Sequence, residues 1–89
     1  MNAVEGLSGM SNDEIELFAW IGEDEFGSGE VGLKQGLTQA GYIPLVAIHR
    51  GKMDRADMIL QLERQAAIYG KKIQLARFKF VEVLKEINP

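Results

Sequence analysis

Apolar residues along this chain gather in three short dense runs and one longer periodic segment, and the spacing changes from one to the next. The first run, Ile15-Glu16-Leu17-Phe18-Ala19-Trp20-Ile21, is short and aromatic-rich, which predicts a strand. Side chains alternate along a strand, so Ile15, Leu17, Ala19 and Ile21 share one face, while Phe18 and Trp20 share the other with Glu16. Both faces are largely apolar. Such a strand belongs in the middle of a sheet covered on both sides, or against a second subunit.

The second run, Tyr42-Ile43-Pro44-Leu45-Val46-Ala47-Ile48-His49, predicts another buried strand, ending at Arg50-Gly51. Pro44 cannot donate to a ladder, so that end is expected at a sheet edge or among the strand's first residues. The periodic segment runs from about Asp54 to Tyr69 and predicts the main helix. Asp54 suits the N-cap with Asp57 at N3, and Met53 and Met58 can form a hydrophobic staple. Gly70 suits the stop, with Lys71 and Lys72 at the negative end of the dipole. Its apolar positions, among them Met58, Ile59, Leu60, Leu62, Ala66 and Tyr69, fill an arc of roughly 200°, about twice what one sheet contact needs. The surplus calls for cover from the C-terminal segment or a second chain.

The third run, residues 72–81, predicts a strand whose large side chains change phase, from Ile73 and Leu75 to Phe78 and Phe80. A bulge near Ala76, or apolar burial on both faces, would account for this. After it, Val83, Leu84 and Ile87 stand at helical spacing, so the tail can end as a short helix before Asn88-Pro89.

Residues 22–41 hold six of the ten glycines, and a structureless connection of that length is uncommon in a compact domain. A helical turn around Val31–Leu37, a weak strand there, or a functional loop all fit. The order β-loop-β-α-β gives an α+β fold, a small mixed sheet with one main helix packed on it. The helix is long enough for a crossover between parallel strands. Residues 1–12, with Gly6, Ser8, Gly9, Ser11 and Asn12, read as a flexible leader, and 13–89 as a single domain.

At 89 residues the chain has room for one modest core, burying only about 60–65% of its unfolded surface, so an oligomer would help it. The absence of cysteine excludes disulfides, a thiolate nucleophile and Cys-ligated metals, and a single histidine argues against a metal site. No cofactor is expected. No apolar stretch approaches the about eighteen residues that span a bilayer, and Met1-Asn2-Ala3-Val4-Glu5-Gly6 lacks the features of a secretory signal. The expected setting is cytoplasmic, without membrane contact. The net charge of −3 hides a dipole: residues 1–33 carry eight acids and no base, and the rest carry ten bases against five acids. That split bears on association, not on a reaction.

Candidate chemistry is thin. Gly27-Ser28-Gly29-Glu30-Val31-Gly32 has the G-x-G-x-x-G spacing of dinucleotide sites, but it follows Glu23-Asp24-Glu25, contains Glu30, and precedes no convincing helix. A turned glycine loop is the better reading. A small-ligand or phosphate site would draw on Gly27, Gly29, Gly32 and Lys34, with His49 and Arg50 from the end of the second strand. His49 lacks a second catalytic group at any diagnostic spacing, so no enzyme is expected. The acidic patch Glu23, Asp24, Glu25 and Glu30 does not follow a calcium-loop pattern, and no metal is assigned to it. It could imitate nucleic acid toward a partner protein with a basic surface. Lys71, Lys72, Arg77 and Lys79 interleave with Phe78 and Phe80, yet overall acidity argues against direct nucleic-acid binding. The favoured reading is a non-enzymatic protein–protein interaction module that forms a homo-oligomer, with Phe18, Trp20, Leu60, Ile68 and Tyr69 as candidate contact residues.

Overall fold

The computed structural model describes residues 14–24 and 26–89. The expected leader, residues 1–12, and Glu25 of the acidic patch lie outside the described residues. The elements are β1 (Glu16–Glu23), β2 (Val31–Leu33), β3 (Gln35–Thr38), β4 (Gly41–Pro44), β5 (Val46–Ala47), α1 (Arg50–Met53), α2 (Ala56–Tyr69) and β6 (Ile73–Lys79). The fold is α+β, with one main helix. No helix among the described residues is long and apolar enough to cross a membrane.

β1 organises the sheet, as its two apolar faces predict. One of its edges pairs with β6 along its length, from Glu16 opposite Lys79 to Gly22 opposite Ile73. The other edge is shared by β2, with Ile21 opposite Leu33, and β5, with Ala19 opposite Val46. All of these ladders are antiparallel. β5 and β6 therefore run parallel to each other with β1 between them, and the two helices cross from one to the other. The β6 register is unbroken, so the phase change at Ala76 reflects apolar groups on both faces rather than a bulge.

The glycine-rich segment is not a helical turn. It forms β2 and β3, and the expected single strand over 42–49 is split into β4 and β5. β3 and β4 form a two-stranded hairpin of their own, with Gln35 opposite Pro44 and Thr38 opposite Gly41. Pro44 thus lies in an edge strand, where its missing N–H costs little. The hairpin leaves the main sheet at a three-way junction. The Trp20 amide donates to the Leu45 carbonyl (3.0 Å), the Leu45 amide to the Lys34 carbonyl (2.9 Å), and the Lys34 amide to the Trp20 carbonyl (2.8 Å). Each backbone group freed where a strand departs is satisfied by one of the other two chains, as buried amides require.

The main core cluster lies on the helix side of the sheet, while Ala19, 1% exposed, is buried on the other side. Leu45, Met53 and Leu62 form the cluster's centre, and Phe18, Trp20, Ala47, Met58, Ile73 and Leu75 pack against them. The Trp20 indole N–H donates to the Met53 carbonyl at 2.7 Å. This contact and the burial of Met53 fix the end of α1 and move the start of α2 past the expected Asp54. Its N-cap is Arg55, which makes no side-chain cap bond. The stop is as read from sequence. Gly70 takes a left-handed conformation (φ 66°) and its amide donates to the Ala66 carbonyl at 2.9 Å. The tail departs from expectation: residues 80–89 form neither helix nor strand.

Candidate functional site

Directly opposed residues in a ladder share a face, so the registers divide the sheet's side chains into two sets. Phe18, Trp20, Ile73, Leu75 and Ala47 face the helices. Leu17, Ala19 and Ile21 of β1, Val31 and Leu33 of β2, Val46 of β5 and Ala76 and Phe78 of β6 face the other way. The Phe80 amide donates to the Ile15 carbonyl (3.2 Å), which carries the same pattern one residue further. On this second face only Glu23 and Gln74, both toward one end, are polar. Neither helix covers it; Ala19 at its centre is 1% exposed, while Leu17, Val31, Leu33 and Phe78 around it are 40–64% exposed.

Phe18 and Trp20, expected as contact residues, are instead half-buried beneath the helices. Leu60, Ile68 and Tyr69 remain at the surface, Ile68 at 75% exposure. α2 therefore commits Met58, Ile59, Leu62 and Ala66 to the interior and leaves much of its wide apolar arc open. The C-terminal segment does not cover it, since residues 81–89 are themselves exposed. The aliphatic face of β1 was visible as the alternation Ile15, Leu17, Ala19 and Ile21. Aromatic size drew attention to the opposite face.

The glycine motif begins in the seven-residue loop joining β1 to β2 and runs into β2 at Val31 and Gly32, a strand where a dinucleotide site needs a helix. Gly27 and Gly29 have φ of 80° and 81°, which side chains other than glycine rarely accept. Asp24 organises the loop. Its carboxylate accepts the Phe26 amide (2.9 Å) and the Ser28 amide (3.2 Å), and the Ser28 hydroxyl accepts the Glu30 amide (3.1 Å). The amides a phosphate would use are thus occupied. The Ser28 hydroxyl, then the Phe26 amide, hold the Asp24 carboxyl below its ordinary range, with smaller contributions from the Ser28 amide and Lys71; slight desolvation opposes them.

Lys34 is buried. Its chain passes over Gly22, where an added Cβ would lie 3.3 Å from Cδ, and its ammonium donates to the Glu23 carbonyl at 3.3 Å. A cleft of about 650 Å³ opens beside it, bounded by Glu23, Glu30, Lys34, Tyr42, Ile68 and Tyr69. Gly32 shares that cleft. Arg50 lines a different depression, with Phe18, Leu75, Ala76 and Arg77, and His49 occupies the N-cap position of α1. Of the proposed ligand residues, only Gly32 and Lys34 come together at a cleft. Two of the acids are tied to the scaffold: Glu23 lies 3.9 Å from Lys71, whose ammonium also donates to the Asp24 carbonyl at 3.3 Å.

Comparison with protein-family models, curated proteins and solved structures found no match to this chain.

Proposed function

We propose that this protein is a non-enzymatic protein–protein interaction module that works as a homo-oligomer through the open face of its sheet. The observation that carries the reading is the row Leu17, Ile21, Leu33, Val31 and Phe78, apolar, partly exposed and nearly free of charge. From strand spacing and rise, the strands of eight, seven, three and two residues present a face of about 300 Å². That is within the range of the largest apolar patch on a monomer, which is often functional. A face with one charge, Glu23 at its end, offers little to an ionic partner, whereas a second copy matches it in size and chemistry about a two-fold axis. No reaction is assigned, because no nucleophile, base and orienting group converge among the described residues. Of the acids that could imitate nucleic acid, Glu23 is engaged by Lys71 and Asp24 by the loop amides, which disfavours that alternative.

The test is the mass in solution by light scattering at micromolar concentrations. The full chain is expected to be an oligomer, and Leu33→Glu, at a site already half exposed, to be folded and of lower mass. A full chain that stays monomeric across that range overturns the reading.

A further inference from the structure

We propose that residues 81–87 of one copy add as an antiparallel strand to the outer edge of β6 in a second copy, and that the exchange is reciprocal. This rests on the homo-oligomer reading and names a specific contact within it.

The first observation is an unpaired edge. β6 makes its ladder with β1 alone, and among the described residues no strand pairs with its other side. At seven residues it is a far longer free edge than β2 or β5 offers. Such an edge presents a row of backbone donors and acceptors ready to accept a strand.

The second is an unplaced segment. Residues 81–87 follow β6 directly and hold no secondary structure. Val81, Val83, Leu84 and Ile87 are 87%, 54%, 88% and 86% exposed. The molecule is correspondingly drawn out, with a radius of gyration of 15.1 Å, against about 12 Å for a compact chain of this size.

The segment cannot satisfy its own chain's edge. Folding back would require a tight turn just after Lys79, and the residues there are Phe80, Val81, Glu82 and Val83. None is Gly, Asn or Asp, and β-branched valine rejects the positive φ that two-residue hairpins demand. A second copy meets no such obstacle. Two chains placed antiparallel about a two-fold axis near Phe80 bring each tail beside the other's β6 with no turn at all. One isologous interface then satisfies both edges and both tails.

The chain has no cysteine, so single-cysteine variants give a direct test. A two-fold centred at Phe80 places Val83 opposite Arg77 of the other copy, whose backbone groups point to the free edge because those of Phe78 and Phe80 point toward β1. A Val83→Cys chain mixed with an Arg77→Cys chain is expected to form a mixed disulfide on oxidation, well above its yield with Gln39→Cys at the exposed hairpin turn. Val83→Pro, which cannot donate to a ladder, is expected to weaken the oligomer about tenfold or more by light scattering. If the parent chain is an oligomer but mixed disulfides form no better than the control and Val83→Pro changes nothing, the strand exchange is overturned and the sheet-face reading stands. If the parent chain is a monomer, both are overturned.

Discussion

Asp24 shows how one side chain can set a loop that glycine composition leaves undefined. Its carboxylate gathers the Phe26 and Ser28 amides, so the loop is expected to be held more firmly while Asp24 is ionised. The folded-state pKa is depressed, so the contribution is fully present above the unfolded value of about 3.9 and is lost as pH falls through the folded value. The protection factors of the Phe26 and Ser28 amides, measured by hydrogen exchange, are expected to hold at pH 6 and fall below about pH 4. Asp24→Ala is expected to remove that dependence. Lys34 carries a related lesson. Its position in a glycine-rich stretch suggests a solvated ligand-binding cation, yet Gly22 leaves room for its chain to be buried.

At the scale of elements, Gly36 governs how the β3–β4 hairpin meets the sheet. A Cβ at Gly36 would stand 2.8 Å from Cδ2 of Leu45 and 3.6 Å from Oε1 of Gln61. Leu45 is held in the core with Met53 and Leu62 and has little room to yield. Gly36→Ala is therefore expected to cost about 1–3 kcal/mol, the usual penalty of overpacking. It should appear in urea unfolding as a lowered midpoint with unchanged slope. An unaltered midpoint would mean that Leu45 repacks freely. Elements with strong local signals were legible from sequence: β1 and β6 from their apolar runs, and the end of α2 from Gly70. The start of α2 was not, because burial of Met53 and its bond from Trp20 outweighed the local preference for Asp54 as cap. The helical spacing of Val83, Leu84 and Ile87, which allowed a short terminal helix, does not produce one. A single turn with no surface to pack on has little to stabilise it.

For the molecule as a whole, the charge split is partly spent inside the chain. Glu16 of the acidic stretch lies 3.9 Å from both Arg77 and Lys79, and Glu23 lies 3.9 Å from Lys71. These pairs are largely exposed, and each such contact is worth about 0–1 kcal/mol. Association driven by the charge dipole would weaken as salt shortens the Debye length from about 10 Å at 0.1 M to about 3 Å at 1 M. Association through the apolar sheet face is expected not to weaken over that range. Sedimentation equilibrium at the two ionic strengths checks this, and dissociation at high salt would assign the contact to charge.

The chain's local patterns determined the α+β class, the two-faced central strand, the glycine stop of the helix and an excess of apolar surface beyond what one helix covers. Those follow from alternation, periodicity and single-residue backbone preferences, which act over a few neighbouring positions. Tertiary structure decided which face of β1 went under the helices, how residues 22–41 became two hairpins, and that Lys34 was buried. Either face of β1 could have served as the core face by alternation alone. The choice was made by Leu45, Met53 and Leu62, distant in sequence, which gather on the side where the Trp20 indole also finds its carbonyl.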